Sequence, residues 1–225
     1  MFGGYFKKHT VDELEIKLPR HEIIRRSRIL IIDDEKPDLI QDLKQVGYYV
    51  DFLEDIKPDN LNVFEGSRYD LVLLDFGNVG LSFGENQGLE ILRLIKKIDS
   101  SIFVLTYTSK ALGTKHAEFY RAADGTLAKD AGIGDSLSKI EDSLVHSHSI
   151  FNIWSGLLDE LGVVAGSPED FKLQDKYVRG LKTRAKIDKW EQEVVDLASS
   201  EQGKVVCKRL AAKLIELGVN WMLPA

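Results

Sequence analysis

The chain has 225 residues, 44% hydrophobic and 29% charged, with a formal net charge of -6. That is enough for one core of ordinary size with a smaller remainder, and the acidic balance gives no global sign of a nucleic-acid or membrane-surface binder. Cys207 is the single cysteine, so no intrachain disulfide can form; with no apolar leader and no run of bilayer length, the expectation is a soluble, cytoplasmic protein in a reducing compartment.

Residues 1–27 read as an N-terminal extension. Thr10-Val11-Asp12-Glu13 has the pattern of a capping box opening a short helix that Pro19 would end. Arg20, Arg25, Arg26 and Arg28 form a local basic cluster, read as a solvated face. Strand one is Arg28-Ile29-Leu30-Ile31-Ile32, followed by Asp33-Asp34. A helix is predicted over 37–46, with Leu39, Ile40, Leu43 and Val46 on one face and Gly47 at its end. Strand two is 48–53, and a short helix with Leu61 and Phe64 follows the turn at Lys57-Pro58-Asp59-Asn60. Strand three, 70–75, carries the apolar run Leu71-Val72-Leu73-Leu74 and ends in Asp75; such a run suits a strand buried on both faces. A loop at 76–87 holds Gly77, Gly80 and Gly84, and the next helix buries Leu89, Ile91, Leu92 and Ile95. Strand four is 101–105, a helix spans 110–122, and strand five is 125–128. Five alternations of strand and helix predict an α/β fold with a doubly wound, five-stranded parallel sheet.

The apolar positions Leu137, Ile140, Leu144, Phe151, Trp154, Leu158 and Leu161 then predict one extended helix from about Asp135 to Gly162, with a polar gap at Ser147 and His148. Its second half would run past the sheet. Ser167-Pro168-Glu169-Asp170 is a strong helix start, and Asp188-Lys189-Trp190-Glu191 resembles another. A last helix with Val206, Leu210, Leu214 and Leu217 is expected to end at Gly218. The expected division is 1–27, 28–146 and a helical region over 147–225.

In open α/β sheets, ligands bind where the carboxyl ends of the strands emerge. There the sequence places Asp33, Asp34 and Asp75, whose crowded carboxylates would raise one another's pKa unless a cation sat among them. Oxygen donors with positions left for water and phosphate suit Mg²⁺. Strand four adds the hydroxyl of Thr106, and strand five the ammonium of Lys129.

The pieces Ile31-Ile32-Asp33-Asp34-Glu35, Asp70-Leu71-Val72-Leu73-Leu74-Asp75, Gly88-Leu89-Glu90-Ile91-Leu92, Val104-Leu105-Thr106 and Ala122 to Lys129 occur in this order on alternating elements. Together, over about 28–146, they make the chain resemble the flavodoxin-like receiver domain of two-component response regulators. The resemblance implies that Asp75 is the nucleophile, phosphorylated by a histidine kinase or phosphotransfer protein. It implies that Asp34 and Asp75 hold Mg²⁺ with the carbonyl of Gly77, that Asp33 acts partly through water, and that Thr106 and Lys129 contact the phosphoryl group. It implies a signalling switch that assists only its own phosphorylation and dephosphorylation, not an enzyme in the usual sense. Several positions depart from the pattern. The loop after Asp75 is long and lacks the usual proline. Asp130 stands where a proline normally follows the lysine, and Thr126 where an aromatic switch residue stands. Tyr107 stands where a small residue is typical; its ring either narrows the approach to Asp75, or points to solvent or packs on the neighbouring helix.

His146 and His148 read as a polar patch, Gly132-Ile133-Gly134 as a plain turn, and Cys207, Trp190 and Trp221 as core. For the 147–225 helices the favoured role is an interaction or homodimerisation module. The alternative is a DNA-binding regulator using 172–189, where seven basic side chains (Lys172, Lys176, Arg179, Lys182, Arg184, Lys186, Lys189) stand against Asp175 and Asp188. Against it, residues 151–225 balance eleven basic with eleven acidic side chains and show no helix-turn-helix signature.

Overall fold

The computed structural model describes residues 10–11, 18–64, 68–109 and 117–222, with side chains up to 218. By its internal contacts the chain forms two compact units, Leu18–His148 and Ser149–Ala225, the latter grouped with the N-terminal segment as far as Lys17. No helix among the described residues is long and apolar enough to cross a membrane.

The first unit runs α1 (Arg20–Arg26), β1 (Arg28–Ile32), α2 (Leu39–Val46), β2 (Tyr49–Leu53), a 3-10 helix at Pro58–Phe64, β3 (Leu71–Leu74), a 3-10 turn at Leu81–Phe83, α3 (Gly88–Ile98), β4 (Phe103–Thr108), α4 (Ala117–Ala122), β5 (Gly125–Ala128) and α5 (Ile133–Ser147). All strands are parallel in the order β2-β1-β3-β4-β5, the flavodoxin-like order predicted.

Successive strand residues point to opposite faces, so a two-sided sheet needs apolar residues at every position. Ile29, Ile31, Leu71, Leu73, Leu105 and Tyr107 pack with α1, α2 and α5 through Ile23, Leu43, Ile140 and Leu144. Leu30, Ile32, Val72, Leu74 and Val104 pack on the other face with Leu89, Ile91, Leu92 and Ile95 of α3 and Phe119 of α4. Each such buried side chain contributes about 1.5–3 kcal/mol relative to exposure. Gly47 ends α2 as expected: at φ 108 it donates to Leu43 O and Lys44 O, and no β-branched residue would hold that conformation.

Several expectations are corrected. The extended helix is two helices, α5 and α6 (Ile150–Leu161). Ser149 is extended at φ -71, ψ 123, Ser147 Oγ turns back to Leu144 O at 3.0 Å, and the His148 ring meets Ser27 Oγ at 3.0 Å. The polar gap is therefore the break. Pro19 immediately precedes α1; the expected helix opening at Thr10 that Pro19 would end lies outside the described residues beyond Val11, as does much of 110–122. β4 runs on to Thr108, because Tyr107 and Thr108 keep pairing with Leu127 and Ala128. In the basic cluster, Arg25 and Arg26 meet Glu22 at 2.7 and 2.8 Å, and Arg28 lies over the Tyr49 ring at 4.8 Å.

The second unit contains α6, α7 (Pro168–Leu181), α8 (Arg184–Leu197) and α9 (Glu201–Met222), with α9 packed against the other three. α7 starts as predicted: Ser167 Oγ accepts the Asp170 amide at 3.2 Å, with Pro168 in the first turn. α8 starts a turn before Asp188, after an extended Thr183, so the second capping signature is interior. α9 passes through Gly218, where a β-carbon would lie 2.5 Å from Tyr177 Oη; the glycine permits close packing and does not end the helix. At the centre, the rings of Tyr177 and Trp190 are 4.8 Å apart and Trp154 stacks on Trp190 at 6.1 Å. Cys207 is fully buried here, as expected; Trp221 lies beyond the described side chains.

Candidate functional site: the carboxylate edge of the sheet

β1 and β3 are hydrogen-bonded neighbours, in register from Ile29 opposite Leu71 to Ile32 opposite Leu74. Both chains leave the sheet at the same edge, where the Asp75 amide still donates to Ile32 O at 2.9 Å. That register carries the acids following each strand to one place. Carboxylate oxygens of Asp33, Asp34 and Asp75 all lie within 4.8 Å of one another. Their surroundings differ. Asp33 is 1% exposed and accepts the Glu35 amide at 3.0 Å, closing the turn after β1. Asp75 is 8% exposed, and Asp34 is open to solvent.

Lys129 follows β5 and reaches back across the edge. Its Nζ lies 2.7 Å from Asp33 Oδ2 and 3.4 Å from Asp75 Oδ2, so the ammonium is held more closely by the first acid than by the second. Burial raises the Asp75 carboxyl above its ordinary range, and the charge of Asp33 adds to this; Lys129 opposes both. Lys129 itself is held above the ordinary lysine value, its hydrogen bond and charge contacts with Asp33 and Asp75 outweighing desolvation. Three converging hard oxygen donors, one half-neutralised by an ammonium, fit a divalent cation such as Mg²⁺. Gly77 lies two residues beyond Asp75 on the same edge, half-buried.

Thr106 is placed differently from the expectation. It lies inside β4, opposite Leu74 and Thr126, fully buried, and its hydroxyl donates to Thr126 Oγ1 at 3.0 Å. Alternation along β4 puts it on the α3 and α4 side of the sheet, away from Tyr107. Tyr107 is 4% exposed and belongs to the core beneath α2 and α5, so the packing reading holds for most of its ring. The same ring stands 5.6 Å from Lys129 Nζ, a cation-π distance. Beside it opens a cleft of about 460 Å³ lined by Asp33, Lys36, Asp38, Tyr107, Lys129 and Ser136. No cis peptide occurs among the described residues, so the chain passes from Lys129 to Asp130 in the ordinary trans form.

The long loop after Asp75 is ordered by its own contacts. Phe76 packs edge-on against Phe119 at 5.2 Å, and Val79 is fully buried. Sequence reasoning missed Asn78, whose side-chain amide donates to Asp34 Oδ2 at 2.8 Å. The available signal was an asparagine two residues before a glycine in a tight loop, since asparagine tolerates left-handed backbone better than most residues.

The other candidates resolve into ordinary structure. His148 meets Ser27, and His146 stacks edge-on against Phe103 at 5.3 Å. In the basic stretch 172–189, Lys176 pairs with Glu193, Arg179 with Asp175 at 3.0 Å and Arg184 with Asp188 at 3.0 Å.

No protein-family model matches the chain, and no curated protein matches it. Solved structures do. A response regulator receiver domain protein (CheY-like) from Methanospirillum hungatei JF-1 is 25% identical over 54% of this chain and 95% of its own, with a TM-score of 0.45. The response regulator protein TrrA from Thermotoga maritima, solved with Mg(2+)-BeF, is 26% identical over 52% of this chain and 98% of its own, at 0.43. Chemotaxis protein CheY4 of Vibrio cholerae is 19% identical over 52% and 98%, at 0.42. Over about half of its length this chain is thus similar to response regulator receiver domains, while its C-terminal helical region stays unassigned.

Proposed function

We propose that the protein is a two-component response regulator that accepts a phosphoryl group on Asp75. The observation that carries this reading is the convergence of Asp33, Asp34 and Asp75 within 4.8 Å at one sheet edge, with the Lys129 ammonium 2.7 Å from Asp33 and 3.4 Å from Asp75. A carboxylate oxygen of Asp75 attacks phosphorus, the bond from phosphorus to the donor histidine nitrogen breaks, and the imidazole leaves with the electron pair. There is little covalent chemistry for the protein to perform beyond positioning and charge neutralisation. Asp34, Asp75 and the Gly77 carbonyl would hold Mg²⁺, with Asp33 contributing partly through water. When bound there, the ion supplies positive charge that neutralises the phosphoryl oxygens. Lys129 adds a second positive charge from the protein side and opposes the upward pull of burial on the Asp75 carboxyl. Thr106 lends its hydroxyl to the acyl phosphate after releasing Thr126.

The partner in this reading is a histidine kinase or phosphotransfer protein, the setting is the cytoplasm, and the helices after His148 serve as an interaction or homodimerisation module. Ion pairs hold three of the seven basic side chains of 172–189, which favours that role over DNA binding. Incubation with acetyl phosphate and Mg²⁺ should add one phosphoryl group by intact mass, and Asp75→Asn should abolish it. Equal single-site labelling of the Asp75→Asn protein would overturn the assignment. Hydrodynamic mass with and without beryllofluoride and Mg²⁺ tests the dimer.

A further inference from the structure

The loop that carries Asn78 is built around one contact with the carboxylate edge. Its ends are tied by the Gly88 amide, which donates to Phe76 O at 3.1 Å. Its middle is fixed by Val79, fully buried, and by the Gly80 amide, which donates to Asp55 Oδ1 at 2.5 Å. Gly80 has φ 72, and a β-carbon there would lie 2.8 Å from Ile91 Cδ1 and 3.1 Å from Gln87 O, so the backbone is wedged in place. Beside this anchor Asn78 adopts φ 57 and Gln87 φ 45, the two non-glycine residues in the left-handed region among the described residues. The pair is joined, since the Asn78 amide donates to Gln87 Oε1 at 3.2 Å. The net result is that Asn78 Nδ2 stands 2.8 Å from Asp34 Oδ2.

Asp34 is the acid that needs such help. Asp33 and Asp75 are held by burial and by Lys129, whereas Asp34 is exposed. An exposed carboxylate samples several rotamers, and a ligand that must be fixed at the moment of binding weakens the site by that lost freedom. Hydrogen bonds from outside a metal's ligand shell remove this cost and typically change affinity by ~10–100-fold.

We propose that Asn78 is a positioning residue of the divalent-cation site, holding one oxygen of Asp34 through its carboxamide so that the other is presented as a ligand. The inference rests on the cation reading given under the proposed function. It assigns the long loop a purpose: bringing a hydrogen-bond donor to the one acid of the three that the sheet leaves loose.

The test uses the full chain and Mg²⁺ alone, titrated calorimetrically into wild type, Asp34→Ala, Asn78→Gly and Asn86→Ala. Glycine accepts the left-handed conformation, so Asn78→Gly removes the carboxamide while keeping the loop. Asn86 is a control carboxamide of the same loop, donating to Glu90 Oε1 at 2.9 Å. The expected result is a Kd raised ~10-fold in Asn78→Gly, unchanged in Asn86→Ala, with the metal-free melting temperature of Asn78→Gly equal to or above that of wild type. If Asn78 only shapes the loop, Asn78→Gly binds Mg²⁺ as wild type does, and the inference is overturned while the cation site stands. If wild type binds no Mg²⁺, or Asp34→Ala binds it equally, the cation reading itself is overturned.

Discussion

Gly88 connects stability to the proposed chemistry through a single missing atom. It is the first residue of α3 and lies against the end of β3. A β-carbon there would be 2.3 Å from Asp75 O, 2.9 Å from Phe76 Cα and 3.1 Å from Phe76 O. Ordinary contact begins at 3.4 Å, so Gly88→Ala must open a gap of 1.1 Å (3.4 less 2.3) between two stretches of main chain. No side-chain rotation relieves such a clash. Overpacking of this kind costs about 1–3 kcal/mol, and the gain in helix propensity at a first turn recovers well under ~1 kcal/mol. A net loss of ~2 kcal/mol should lower the melting temperature by ~4–8 °C for a chain of this size. The residue pushed is Asp75 itself, and a misplacement of ~1 Å at a reacting group can cost ~100-fold in rate. Urea unfolding and the initial rate of labelling by acetyl phosphate, both taken where the variant is folded, check the two effects. Gly134→Ala is the control, since a β-carbon there meets nothing within 4 Å; it should be neutral or stabilising. A Gly88→Ala protein within ~0.5 kcal/mol of wild type and labelled equally fast would refute the steric reasoning.

Asp170 is 3% exposed and accepts hydrogen bonds from Trp154 Nε1 at 2.9 Å, Gln174 Nε2 at 2.8 Å and the Gly166 amide at 2.7 Å. Asp170→Ala strands the buried Trp154 and Gln174 donors, while the exposed Gly166 amide can turn to water, and should cost ~3 kcal/mol; a loss below ~1 kcal/mol by tryptophan-detected unfolding would contradict this. Burial pushes the Cys207 thiol up to about 11, with the charge of Glu160 adding to the effect. Because the folded value is the raised one, this group's stabilisation is whole below the ordinary value of 9.0 and falls away as pH rises through about 11. At pH 8 native Cys207 should therefore react with iodoacetamide at least ~100-fold more slowly than in urea, and equal rates would refute the burial. Residues 18–148 have a core of their own on both sheet faces, so that fragment alone should fold cooperatively and accept a phosphoryl group, whereas a molten product would show that the rest of the chain completes it.

The sequence by itself determined the sheet. Parallel strands covered on both faces must be apolar at every position, so the runs Ile29–Ile32 and Leu71–Leu74 announce themselves, and the acids that end them are found by simple adjacency. Asp33, Asp34, Asp75 and Lys129 were legible for that reason: three directly follow a strand, Asp34 comes one residue later, and the strand order brings the strand ends together. What only the tertiary structure decided depends on partners far along the chain. Gly218 reads as a helix end until the Tyr177 hydroxyl is seen pressing against it, and the periodicity across Ser147 reads as one helix until Ser149 is seen extended. Thr106 reads as a strand-end hydroxyl until pairing with β5 carries β4 two residues further and gives it Thr126 as a partner. Asn78 left only a local signal, an asparagine two residues before Gly80, because its role comes from a loop folded back on Val79 and Gly80 until its amide meets Asp34, 44 residues earlier. Local rules set by backbone geometry can be read from spacing, whereas a contact closed across a loop is chosen by packing, which spacing does not encode.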